Sequence, residues 1–337
     1  MPHAPAPRGP LSAAVLAALS TAPGALSPSD LPAVDVAEPL ADDDFQLALY
    51  CCYELHYRGF DGVDERWEWD PGLLTFRARL EEVFERAVED ALEGWTPPAA
   101  TAETMDVALR AIADADDFPS LSRHLEIHGT EAQFREFLTH RSAYQLKEAD
   151  PHSWAIGRLW GPPKAALVEV QADEYGGGDP ERVHAVLFAR AMRALGLDDA
   201  YGAYLDKIPG VTLATVNLMS FFGLHRRNRG RVVGHLALFE MTSSIPNRRY
   251  ATGLRRLGFD DADATTFFDE HVTADAVHEN IAAVDLGGGL VRAEPQLADE
   301  ILFGARALVE LEGRWAAMLL DAWAADRTAL HADLVGA

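Results

Sequence analysis

Cysteine is nearly absent from this sequence. Two occur in 337 residues, Cys51 and Cys52, and adjacent residues seldom reach disulfide geometry. A disulfide framework is therefore excluded, and a reducing cytoplasm is the expected location. No run approaches the roughly 18 to 20 apolar residues of a membrane span. The N-terminal stretch MPHAPAPRGPLSAAVLAALSTAPGA has only Arg8 ahead of a short, Ala-rich apolar run, which falls short of a secretory leader. Positive charge is scarce as well: 29 Lys and Arg against 53 Asp and Glu give a formal charge of -24. Such a surface repels phosphate backbones and anionic lipid, so neither nucleic acid nor a membrane is an expected partner. Strand pairs with hairpin turn chemistry, an internal repeat and a Gly-rich dinucleotide fingerprint are also missing.

What is present is helical texture. Hydrophobic residues make up 48% of the chain, enough for a large core. From Asp42 onward, FQLALYCCYELHYRGF, LLTFRARLEEVFERAVEDALEGW and most later segments repeat apolar residues at three- and four-residue spacing. The expectation is an all-α fold of a dozen or so helices. Residues 1–10, with four prolines, are expected to be disordered. The organisation expected is a loose segment over 1–40, a helical N-terminal region over 41–125 and a metal-binding bundle over 126–330.

The candidate chemistry lies in the last of these. In HVTADAVHE, residues His271, Asp275 and His278 fall at i, i+4 and i+7, within about 60° of one another on a helix of about 100° per residue. In PERVHAVLF, Asp179 and Pro180 read as the start of a helix, which places Glu181 and His184 at i and i+3, a ligand pair of bundle di-iron proteins. Glu240 sits in the apolar run HLALFEMTSS, where a carboxylate needs a cation, a donor or a metal; Arg248 and Arg249 are the nearby cations. Three histidines and three carboxylates suit iron or manganese in pairs better than structural zinc. Glu174 in QADEYGGG and Glu148 in YQLKEADPH are further candidates, as ligand or as partner to a ligand, although the glycine run after Glu174 defeats any argument from helical phase. Cys51, Cys52, Glu54 and His56 read as ordinary helix residues, and HRRNRGR at 225–231 as a solvated turn.

From about Glu131 to Ala283 the chain resembles the iron-containing redox enzymes of the haem-oxygenase-like superfamily, through YQLKEADPHSWAIGRLWG, KAALVEVQADEYGGG, ERVHAVLF, GHLALFEMTSS and FFDEHVTADAVHENIA. That resemblance implies a bundle of about seven core helices. It puts the family's metal ligands on Glu181, His184, Glu240, His271, Asp275 and His278, with Glu174 or Glu148 as the further carboxylate some relatives add. It also implies two irons per chain, with manganese compatible, and O2-dependent oxidation of a small molecule. Tyr144, Phe188, Phe239, Phe267 and Phe268 are expected neighbours of the centre. Reduction would come from an external donor or the substrate, and a homodimer is the expected assembly. The rival readings are a metal-free binding protein or hydrolase, a haem oxygenase using His56, and a structural protein pairing through 305–324.

Overall fold

A computed structural model of the chain describes residues 1–24, 26, 27, 31–332 and 334, with backbone alone at 274–277. Every regular element among the described residues is helical, and there is no strand. Fourteen α-helices are described: α1 (Pro10–Leu19), α2 (Asp43–Glu54), α3 (Pro71–Ala91), α4 (Met105–Asp114), α5 (Leu121–Ile127), α6 (Glu131–Gln145) and α7 (Asp150–Ser153), then α8 (Gly161–Glu174), α9 (His184–Ala194), α10 (Gly210–Leu224), α11 (Arg229–Arg256), α12 (Ala262–Asn280), α13 (Gly289–Ala293) and α14 (Ala298–Ala324). A π-helical segment, Ile281–Gly288, continues α12 without a break.

Local chemistry fixes several boundaries. The Asp42 carboxylate accepts from Phe45 N at 2.7 Å and starts α2. Thr130 and Gln133 close a reciprocal capping box at the head of α6. Helix α10 is mainly apolar all round and is buried accordingly. Among its polar anchors is Asn217, whose amide donates to Gln46 O (2.9 Å) and Gln46 Oε1 (2.8 Å) of α2.

The long helices α11 and α14 pack together, and α11 also packs on α12. The α11–α14 contact passes over glycine: a Cβ at Gly234 would overlap Ile301 O, and one at Gly304 would overlap Arg231 O. Two apolar clusters result. One gathers α2, α3, α10 and the facing halves of α11 and α14; the other gathers α5, α6, α9, α12 and Trp315 and Trp323 of α14.

The first residues differ from expectation. The prolines lay an extended path on the bundle, where Ala6 N donates to Asp206 Oδ1 at 2.8 Å and Pro2 O accepts from Asp61 N at 2.8 Å. Asp44 of α2 caps α1, accepting from the backbone N–H groups of Leu11 (2.8 Å) and Ser12 (2.7 Å). The basic cluster after α10 is neutralised: Arg227, Arg229 and Arg231 pair with Glu85, Glu294 and Glu300. No helix among the described residues is long and apolar enough to cross a membrane.

Candidate metal centre

Five elements bring buried acids and imidazoles to one place. Glu174 is the last residue of α8, and three glycines with left-handed backbone follow it (φ 75, 60 and 92°). Only glycine adopts that succession easily, and the turn is tight: a Cβ at Gly176 would lie 2.8 Å from Arg182 C. The reversal folds the chain back so that His184, first residue of α9, sets its Nδ1 3.0 Å from Glu174 Oε2. Glu148 stands in the four-residue turn between α6 and α7, with Oε2 3.9 Å from His184 Nδ1 and Oε1 3.5 Å from His271 Nε2. On α11, Glu240 Oε2 is 3.3 Å from His278 Nδ1.

These residues form two donor groups. Glu148, Glu174, His184 and His271 make one; Glu174, Glu240 and His278 make the other, and within each group the donor atoms all lie within 4.8 Å of one another. Glu174 belongs to both.

The outer ring nitrogens are held by other residues. His271 Nδ1–H donates to Phe267 O at 2.7 Å, which turns Nε2 inward. His278 Nε2–H donates to Asp173 Oδ2 at 2.9 Å and leaves Nδ1 facing Glu240. A carboxylate behind an imidazole fixes its tautomer and strengthens it as a donor to metal.

Burial and charge are both unusual. Glu148, Glu174 and Glu240 are 5–6% exposed, and like charges so enclosed need compensation. Burial alone would push the His278 imidazolium down, but Glu240 and Asp173 outweigh it and hold it up at about 9. His184 is likewise raised, burial being overcome by Glu174. Burial raises Glu148, and the Glu174 charge beside it adds to the effect.

The donor set fits a dication. Glu148 Oε2, Glu174 Oε2, His184 Nδ1 and His278 Nδ1 are all buried and make no well-oriented hydrogen bond, held only by ion-pair approaches within the cluster. Buried polar atoms left poorly satisfied are costly, about 1–3 kcal/mol each, and a cation in each donor group would satisfy them better than these approaches do. Oxygen and imidazole donors without thiolate suit iron or manganese.

The structure sorts the sequence candidates. His184, Glu240, His271 and His278 come together, and Glu174 and Glu148 join them. Glu181 does not: its side chain is 72% exposed and pairs with Arg190. The physical reason is that Asp179 starts a turn, accepting from Glu181 N at 3.0 Å, and α9 begins only at His184. Glu181 and His184 therefore never share a helical face. Asp275 lies on α12, with its side chain outside the described residues. Of the arginines near Glu240 in sequence, Arg249 pairs with Glu126 (3.7 Å), and His278 lies beside the Glu240 carboxylate. Asp173 is a participant that sequence patterns miss, and its one signal there is its position beside Glu174.

A cavity of about 400 Å³ opens onto Glu148 and His271. Its walls include Phe137, Phe188, Phe239, Phe267, Phe268 and Trp315. A smaller space lined by Tyr144, Glu174 and Glu240 continues from it past Glu148 and His271.

An all-helical bundle whose core holds paired carboxylate and histidine groups is an architecture in which redox metals are bound. The family of that description, iron-containing redox enzymes, matches residues 135–313, just over half of the chain, and the chain belongs to it. All the gathered residues lie inside that span. Among characterised proteins, the chain is similar to the nitrosourea synthase of Streptomyces achromogenes subsp. streptozoticus, with 27% identity over 266 residues. That match covers 75% of this chain and 56% of the relative, so the chain spans about half of the relative's length.

Proposed function

We propose that this protein is a non-haem di-iron oxidase or oxygenase that uses O2 to oxidise a small organic molecule. The observation that carries this reading is the pair of buried donor groups joined at Glu174. Glu148, Glu174, His184 and His271 would hold one ion, and Glu174, Glu240 and His278 the other, with Asp275 on the same helix as a further ligand. Manganese fits the same donors. Iron, when bound, supplies the one-electron steps that dioxygen chemistry requires.

The chain's own residues supply the setting. The aromatic walls exclude water from the reacting end of the cavity. Tyr144, pushed well above its ordinary range by burial and by Glu148, Glu174 and Glu240, keeps its phenolic proton beside the carboxylates. Gln145 presents a buried Oε1 with no partner to the cavity, and Arg141 and Glu312 form a two-bonded pair (2.9 and 2.6 Å) on the same wall. A substrate there needs an apolar body and a hydrogen-bond donor for Gln145. The relative's name records a nitrosourea as its product, which makes nitrogen-bearing substrates the first to try. Electrons would come from a separate donor or from the substrate.

Two rival readings, a haem oxygenase and a thiol hydrolase, lack support from their own residues. His56 has both ring nitrogens engaged, by Glu68 at 3.1 Å and by Arg77, which leaves none for a haem iron. Cys51 and Cys52 are buried on α2, and burial pushes the Cys52 thiol up to about 12, far from a nucleophile.

Anaerobic titration of metal-free protein with Fe(II), followed by an oxygen pulse under optical recording, tests the proposal. Two irons per chain and an oxygen-dependent absorption change are expected. Fewer than one tightly bound ion, for iron and manganese alike, would overturn it.

A further inference from the structure

Of the gathered acids, Glu148 alone sits in a turn, where no helical ladder fixes its backbone. What holds that turn comes largely from outside the span that the family model matches. Lys147 Nζ donates to Glu54 Oε2 at 2.8 Å, in an ion pair whose side chains are 1% and 0% exposed. Arg58 Nη2 donates to Leu146 O at 2.8 Å. Glu54 also accepts from Tyr201 OH at 2.7 Å. The Lys147 ammonium lies over the ring of Tyr57 at 4.1 Å and near that of Tyr50 at 5.0 Å. On the other flank, Gln171 Nε2 donates to Ala149 O at 2.7 Å. Residues 146, 147 and 149 are each pinned, and Glu148 between them is left to face the histidines.

A fully buried ion pair is a poor source of stability, since desolvation offsets its attraction. Its value here is positional. We propose that the end of α2 and the turn after it act as a positioning element for the metal centre: Glu54 and Arg58, by holding Lys147 and Leu146, set where the Glu148 carboxylate stands. This rests on the metal-centre reading above. It assigns a role to the region before residue 135, which contributes none of the donor atoms.

The test is the double variant Glu54→Gln/Lys147→Met. It removes both charges together, so neither is stranded, and the amide that replaces the Glu54 carboxylate can still accept from the Tyr201 hydroxyl. Calorimetric titration of the full chain with Mn(II), with circular dichroism as the fold control, reads the two binding steps. The expected result is native helicity with one step weakened about 10- to 100-fold, the scale of lost support behind a ligand, and the other unchanged. The visible spectrum of Co(II)-loaded protein should show altered intensity for one ion only. Two parental steps in a folded double variant, or equal weakening of both, would overturn the proposal. If the double variant does not fold, Arg58→Gln gives the same split on a smaller scale, and parental binding in that variant counts against the proposal equally. A parent chain that binds no metal would instead overturn the metal-centre reading itself.

Discussion

Glu174 is the residue on which both donor groups depend, and its neighbour Asp173 supports His278 from behind. Under the di-iron reading, Glu174→Ala should reduce metal content from two ions to fewer than one, measured by elemental analysis after desalting, while Glu181→Ala should leave it unchanged. Retention of two ions by Glu174→Ala would mean that these groups are not the metal site. Asp173→Asn keeps a hydrogen-bonding atom but loses the charge, and should weaken metal binding about 10- to 100-fold without altering helicity. The contrast between Glu174 and Glu181 shows what residue patterns can disclose. His271 and His278 are legible because a regular helix preserves the i, i+7 relation. Glu174 and His184 are each candidates in the sequence, but their pairing is not legible, because a left-handed glycine turn joins them and such a turn has no period. The Asx turn at Asp179 gives Glu181 the look of a helix residue.

At the scale of elements, the existence of the helices follows from apolar periodicity, but their mutual approach does not. Gly234 and Gly304 look like weak points in two long helices. In the fold they are where α11 and α14 touch, and Glu240 lies six residues beyond Gly234. Gly234→Val should therefore destabilise the protein by about 1–3 kcal/mol through overpacking, read as a lower thermal midpoint. An unchanged midpoint would mean that the two helices do not cross as closely as described. The boundary of α9 departs from expectation for a related reason: Pro180 suits a first helical turn, but the same residue suits a turn started by an Asx hydrogen bond, and local sequence does not separate the two.

For the molecule as a whole, protons and metal would compete for the same atoms of the proposed centre. In the metal-free protein His278 is held at about 9 against an ordinary imidazole value of 6.5. A group raised on folding contributes stability that is complete below about 6.5 and is lost as pH rises through about 9. Metal-free protein should thus become less stable from about pH 6.5 to 9, as followed by thermal unfolding, and a flat profile would contradict the His278–Glu240–Asp173 arrangement. Metal uptake at about pH 7 must displace those protons, so its calorimetric enthalpy should vary with the ionisation enthalpy of the buffer. The larger cavity touches Glu148 and His271 and is not lined by Glu240 or His278. A guest in that cavity meets the centre from one side only. Under the oxidase reading, a guest that this cavity holds in a single orientation would offer the centre one face, and a prochiral atom in it would give a single stereoisomer.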